Sequence, residues 1–239
     1  MTFQNQGGTG QPVNPPIAYG QRTDAAVQGA FLTQSFFWMF AGLLLTAAVA
    51  AFAQFNPSLL NFAADYFIFL IIGQLALAVG IQWGIRRISA TMALGLFFVY
   101  AASLGITIGL IVGLYDGPSV ATAFLSAGAM FGGAALYGYT TKRSLAGIGG
   151  FASMAIWGLL VAIVVNLFLG SSLLGYVVSI IGVVLFTILT AWDVQRISSG
   201  QLVQALGSVE KAAVIGALHL YLDFVNLFLF LLRIMGGRR

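Results

Sequence analysis

Long apolar segments alternate with short polar ones over most of this chain. A single helix needs about 20 consecutive apolar residues to cross the hydrocarbon core of a bilayer. Seven segments predict such helices: Ser35–Gln54, Phe62–Trp83, Met92–Tyr115, Val120–Tyr139, Gly150–Leu169, Leu173–Trp192 and Ala212–Met235. No proline interrupts them, since all five prolines lie in the N-terminal segment or between apolar segments. The pattern therefore predicts an all-α integral membrane protein with seven transmembrane helices.

The composition excludes several other classes of protein. The chain is 60% hydrophobic and 7% charged, whereas a soluble domain is about 25% charged. It has no cysteine, which excludes disulfides and thiol chemistry, and its single histidine, His219, excludes a poly-histidine metal or haem site. The net charge of +4 is spread over short loops, so we do not expect nucleic-acid binding. We also expect no bound cofactor.

Three regions follow from this pattern. Residues 1–34 are rich in Gly, Gln, Pro and Asn and lack the features of a signal peptide. They predict a disordered or partly amphipathic N-terminal tail, with an amphipathic helix near Asp24–Thr33. Residues 35–236 form the predicted seven-helix transmembrane domain, and residues 237–239 a short basic C-terminus.

The positions of the basic residues predict how the chain is oriented. Basic residues occur in the tail and after the second, fourth and sixth spans: Arg22, Arg86, Arg87, Lys142, Arg143, Arg196 and Lys211. The other loops carry only acidic charges, at Asp65 and Asp116. This asymmetry predicts a cytoplasmic N-terminus. A full crossing by Ala212–Met235 would place Arg238 and Arg239 outside, and a re-entrant segment would not. The length of the segment favours the full crossing.

Small residues recur every four positions on three of the predicted helices. They are Gly105, Gly109 and Gly113; Ala76, Gly80 and Gly84; and Gly128 and Gly132. Such faces let helix backbones approach closely. Ordinary helix packing, with no further role, is the preferred interpretation.

Two aspartates lie within apolar segments near the end of the chain. Asp193 ends one apolar run and Asp223 lies inside the last one. A carboxylate at membrane depth costs roughly 2.5–3.5 kcal/mol on insertion scales. At about 100° per residue, His219, Asn226 and Arg233 share one arc of roughly 80° with Asp223. This polar stripe predicts a last helix in the middle of the bundle. Alternatively, Arg233 reaches an interface and Asn226 only bonds a neighbouring backbone.

If Asp193 and Asp223 meet, two like charges a few ångströms apart could not both ionise. One proton shared between the two carboxyls would then act as a switch near neutral pH. His219 could accept that proton, and Arg233 could hold one carboxylate as an ion pair. The alternative is a permanently satisfied hydrogen-bonded cluster with no switching role.

Four segments resemble motifs of the Bax inhibitor-1 family of transmembrane proteins, and the resemblance extends from Ser35 to Gly236. They are ALHLYLDFVNLFLFLLRIMG in the last helix, TAWDVQRI at the end of the sixth, YGYTTKRSL after the fourth, and GLLVAIVVNLFL, with Asn166, in the fifth. The resemblance implies two three-helix layers around a central C-terminal helix. The N-terminal tail indicates a bacterial inner-membrane protein rather than a eukaryotic one.

Bacterial members of this family are similar to pH-sensitive calcium leak channels governed by a hydrogen-bonded aspartate pair, which matches Asp193 and Asp223. In that case both aspartates would contact calcium transiently. The family's arginine latch matches Arg233, and the position of its acidic partner falls at Gln74. The position of His219 usually holds a small polar residue in this family, so we expect a shifted pH response.

The resemblance therefore predicts a calcium leak channel whose partners are the lipid bilayer and the permeant calcium ion. The alternative is a non-conducting protein that binds and modulates a membrane protease or a stress-response complex. We expect no enzymatic activity, because intramembrane aspartyl proteases carry a GxGD motif and this chain reads Leu220-Tyr221-Leu222-Asp223. A proton-coupled transporter is also less favoured, since no broken helix or inverted repeat is evident.

Overall fold

The computed structural model describes residues 25–237 of the 239-residue chain. Within these residues the chain forms nine helices: α1 (Ala25–Gln54), α2 (Pro57–Asp65), α3 (Phe67–Gly84), α4 (Ala90–Val112), α5 (Gly117–Thr140), α6 (Ala146–Leu169), α7 (Ser172–Ser198), α8 (Gln201–Leu206) and α9 (Val209–Met235). All but α2 and α8 are long and apolar enough to cross a membrane. The prediction of an all-α protein with seven membrane-spanning helices is therefore confirmed.

Several predicted boundaries are wrong; the sixth span, for example, was predicted to end at Trp192, but α7 extends to Ser198. The second span was predicted to begin at Phe62, but α3 begins at Phe67, after the separate helix α2. Asn56 caps α2 by accepting a hydrogen bond from the backbone N–H of Leu59 at 3.2 Å. The amphipathic helix predicted near Asp24–Thr33 is the first part of α1 and is continuous with the first span. Asp24 lies outside the described residues.

The spans are arranged as two groups of three around α9. Helices α1, α3 and α4 pack together on one side, and α5, α6 and α7 on the other. Helix α9 contacts members of both groups. Within its most apolar part 72% of the residues are buried, compared with 17% in α3 and in α6. The predicted central C-terminal helix between two three-helix layers is confirmed.

The loops after α3, α5 and α7 meet at one end of the bundle, which we call the basic end. There, Arg86 donates a hydrogen bond to the carbonyl of Ala205 in α8 at 3.3 Å. Lys211, at the start of α9, donates to the carbonyl of Arg86 at 3.4 Å. At the opposite end, the N–H of Asp116 donates to the carbonyl of Gly237 at 3.3 Å. Helix α9 therefore extends from one end to the other, as a full crossing requires.

Only one of the three small-residue stripes lies in a tight helix contact. A Cβ atom built on Gly105 would lie 2.8 Å from the carbonyl oxygen of Thr46, and one on Gly109 would lie 3.0 Å from the Cβ of Ala53. The stripe on α4 therefore lets α1 approach closely. The glycines of the stripes on α3 and α5 have open space where a Cβ would be: Gly80, Gly84, Gly128 and Gly132.

Candidate functional site

The two aspartates singled out from the sequence lie on neighbouring helices, α7 and α9. Asp193 is 7% exposed and Asp223 is 3% exposed. Asp193 lies five residues before the end of α7, which places it roughly 7.5 Å along the helix axis from the basic end. Asp223 lies in the middle of α9. We call these two residues the carboxylate pair.

The members of the carboxylate pair lie close enough to interact electrostatically, but within the described residues no hydrogen bond joins their carboxyls. The charge of Asp193 interacts with the carboxyl of Asp223, and the hydroxyl of Thr190 also lies against that carboxyl. The Thr190 hydroxyl donates a hydrogen bond to the carbonyl of Phe186 at 2.8 Å. Within the described residues, Oδ2 of Asp223 is buried and has no hydrogen-bond partner. Such an oxygen is costly, because a buried polar atom loses its hydration without compensation.

A cation from the same helix balances one member of the carboxylate pair. Nη1 of Arg196 lies 3.1 Å from Oδ1 of Asp193, three residues earlier in α7. The guanidinium also lies over the Trp192 ring, 4.6 Å from its centroid. The sequence was interpreted only as placing Arg196 among the topology-setting charges. Its i, i+3 spacing from Asp193 was the signal for an ion pair.

His219 connects the carboxylate pair to α3. Its Nδ1 lies 3.7 Å from Oδ1 of Asp193, and its Nε2 lies 3.1 Å from Oε1 of Gln82. The amide nitrogen of Gln82 donates to the carbonyl of Ala78 at 3.3 Å, so its oxygen is the atom that faces the imidazole. Because an amide oxygen only accepts, Nε2 of His219 carries a hydrogen. The sequence contained no signal that singled out Gln82.

The predicted latch residues make separate contacts. The amide nitrogen of Gln74 donates to the carbonyl of Ser103 at 3.0 Å and to the hydroxyl of Thr107 at 2.8 Å, both in α4. The guanidinium of Arg233 packs against Gly175 near the start of α7. No hydrogen bond or ion pair joins Arg233 to Gln74 in the part of the chain that the structure describes. A latch between them remains a prediction.

The two supporting asparagines make local hydrogen bonds. Oδ1 of Asn166 accepts from the N–H of Ser171 at 3.1 Å, across the turn between α6 and α7. Nδ2 of Asn226 donates to the carbonyl of Leu222 in its own helix at 2.8 Å. Asn226 therefore follows the alternative interpretation, in which it bonds only a neighbouring backbone.

Beyond the carboxylate pair, the buried face of α9 is apolar toward the end opposite the basic end. Leu227, Phe228, Leu231 and Leu232 are all at least 93% buried. The described residues contain no group of three His, Cys, Asp or Glu side chains that could hold a metal ion. Calcium takes six to eight oxygen ligands in a stable protein site. Two carboxylates can therefore contact a passing calcium ion but cannot form a resident site by themselves.

The fold and this site define a multi-pass helical membrane protein with a buried carboxylate pair beside its central helix. The chain belongs to the Bax inhibitor-1 family, because residues 28–239 match the family described as Inhibitor of apoptosis-promoting Bax1. It is 40% identical to the inner membrane protein YbhL of Escherichia coli K12 over 229 residues, which cover 91% of this chain and 98% of YbhL. It is 41% identical to a protein of Deinococcus radiodurans over 223 residues, covering 93% and 96% of the two chains. It is 37% identical to YrjE of Lactococcus lactis over 227 residues, covering 92% and 95%.

Proposed function

We propose that this protein is a pH-sensitive calcium leak channel of the bacterial inner membrane, with a cytoplasmic N-terminus, gated by Asp193 and Asp223. The observation that carries the proposal is the burial of two interacting carboxyls on adjacent helices, one of which has an oxygen without a hydrogen-bond partner. The inner-membrane location rests on the similarity to YbhL. The orientation rests on the distribution of basic loops.

The gate depends on how many protons the carboxylate pair holds. With one shared proton, the pair carries a single negative charge, which Arg196 balances at 3.1 Å from Asp193. After that proton is lost, two like charges remain in a nearly dry site. At an effective dielectric constant of about 20, unit charges a few ångströms apart repel by on the order of 4 kcal/mol.

That repulsion is comparable to the few kcal/mol that separate two conformations of a protein. It therefore suffices to move α7 away from α9 or to admit water between them. The apolar residues of α9 beyond Asp223 block a hydrated path in the arrangement described here, so a displacement of α9 opens one. In this scheme the leak increases as the pH rises. Calcium, a hard cation, passes by contacting the carboxylate oxygens.

Calcium uptake into proteoliposomes over a series of pH values tests the proposal. The wild-type protein is expected to conduct more calcium as the pH rises. Asp193→Asn and Asp223→Asn are expected to remove most of that pH dependence. Asp65→Asn is the matched control, because Asp65 is an exposed carboxylate on α2, away from the pair.

The absence of calcium uptake at any pH would overturn the proposal, as would an unchanged pH profile in both pair variants. The non-conducting alternative, a modulator of a membrane protease or stress complex, would then be the better account. Pull-down from membranes with and without residues 1–30 would test that alternative.

A further inference from the structure

A second polar site lies at the basic end, and neither member of the carboxylate pair lines it. It is a cavity of about 580 Å³ between the loop that follows α5 and the region where α7 ends and α8 begins. The residues around it include two cations and four hydroxyls: Lys142, Arg143, Thr141, Ser144, Ser198 and Ser199. No acidic side chain lines the cavity. Its charge therefore favours an anion.

The residues of the loop leave hydrogen-bond donors free. The hydroxyl of Thr141 accepts from the N–H of Arg143 at 3.4 Å, and the hydroxyl of Ser144 accepts from the N–H of Ala146 at 3.4 Å. Each hydroxyl hydrogen thus remains available to a ligand. The side chains of Lys142 and Arg143 form no ion pair or hydrogen bond with the rest of the described chain. Residues 141–144 therefore each provide a side-chain hydrogen-bond donor, and no acidic side chain lining the cavity competes for them.

The loop is held in place by the side chain of Gln195. Its Oε1 accepts from the N–H of Leu145 at 2.8 Å, and its Nε2 donates to the carbonyl of Arg143 at 2.9 Å. The oxygen and the nitrogen of the Gln195 side-chain amide thus both attach the loop to α7. A site that is already ordered loses less conformational entropy when it binds a ligand.

Two exposed tyrosines indicate that the cavity lies at the depth of lipid headgroups. The loop begins directly after α5 ends at Thr140. Tyr137 is 53% exposed and Tyr139 is 60% exposed in the last turn of that helix. Exposed tyrosines mark the membrane–water interface, where their polar tips reach the headgroups. Arginine, lysine and hydroxyl donors are the groups that proteins use to bind phosphate.

We propose that this cavity, the phosphate pocket, binds a phosphate group, and that its source is the headgroup of an anionic phospholipid. Arg143 and Lys142 neutralise the phosphate charge, and the hydroxyls of Thr141 and Ser144 donate hydrogen bonds to its oxygens. The site is independent of calcium conduction and of the carboxylate pair.

Native mass spectrometry of the full chain in neutral detergent tests this proposal, because no charged membrane surface is then present. Phosphatidylglycerol and phosphatidylcholine are titrated onto the delipidated protein. We expect one phosphatidylglycerol to bind in preference to phosphatidylcholine. Lys142→Gln/Arg143→Gln is expected to weaken that binding about tenfold or more, since two charge-assisted contacts are lost. Thr141→Val/Ser144→Ala, which keeps both charges, is expected to weaken it less.

Arg87→Gln is the matched control, because it removes one exposed cation from the same end of the bundle but outside the cavity. It is expected to bind phosphatidylglycerol like the wild type. The proposal would be overturned if Arg87→Gln lost as much phosphatidylglycerol affinity as Lys142→Gln/Arg143→Gln. Equal binding of phosphatidylglycerol and phosphatidylcholine would also overturn it. Competition with inorganic phosphate separates the two sources. If inorganic phosphate displaces phosphatidylglycerol only weakly, the source is the lipid headgroup. If inorganic phosphate binds tightly without any lipid, the lipid assignment is overturned in favour of free phosphate.

Discussion

Replacing Gly105 with alanine would place a methyl group in the contact between α4 and α1. The new Cβ would lie 2.8 Å from the carbonyl oxygen of Thr46 and 2.8 Å from the Cβ of Val49. Ordinary contacts begin near 3.4 Å, so the two helices must separate by roughly 0.6 Å or lose their fit. Overpacking of this kind costs about 1–3 kcal/mol.

Gly128→Ala is the matched control for this substitution. Gly128 belongs to the same kind of sequence pattern, but its Cβ would meet nothing within 4 Å. Both variants gain up to about 1 kcal/mol of helix propensity, so the difference between them isolates the steric cost. At about 2–4 °C per kcal/mol for a chain of this size, Gly105→Ala should unfold roughly 2–12 °C below Gly128→Ala in a detergent melting assay. Equal melting temperatures would refute the assigned contact between α1 and α4.

Two further predictions concern hydrogen bonds between elements. Thr46→Val removes a hydroxyl that lies 2.6 Å from the hydroxyl of Tyr221 in the buried core. Thr46→Val should lower the free energy of unfolding by about 1–3 kcal/mol. The double variant Thr46→Val/Tyr221→Phe should be only slightly less stable than Thr46→Val. If the two losses add in thermal unfolding, the two hydroxyls are not paired. Gln195→Leu releases Leu145 and Arg143, so backbone hydrogen exchange in residues 141–146 should accelerate about tenfold. Unchanged exchange there would show that Gln195 does not hold the loop.

The spans and the central position of α9 could be predicted from the sequence, because lipid imposes a length and a polarity on each helix. The polar stripe with Asp223 and His219 indicated that α9 is enclosed by protein. The break at Tyr66 could not be predicted in this way. Apart from Asp65, the residues between Phe62 and Leu70 are apolar or aromatic, so hydropathy averaged over a span merges the end of α2 with α3.

The residues that contact the carboxylate pair and His219 were harder to predict from the sequence than the pair itself. Asp193 and Asp223 were conspicuous because charges are rare in apolar segments. Gln82 and Thr190, which lie against His219 and Asp223, are uncharged and resemble many polar residues of membrane helices. Their roles depend on how three helices meet, which the periodicity of each helix alone does not specify.

In the proposed gate, Asp193 and Asp223 share a proton whose loss opens the channel. Infrared difference spectroscopy of the reconstituted protein detects the carbonyl stretch of a protonated carboxyl directly. We expect a band that disappears over the pH range in which calcium uptake rises. The band should be missing from Asp193→Asn/Asp223→Asn and retained in Asp65→Asn. A wild-type protein without this band, or with one that persists unchanged while the leak opens, would show that no shared proton gates the channel.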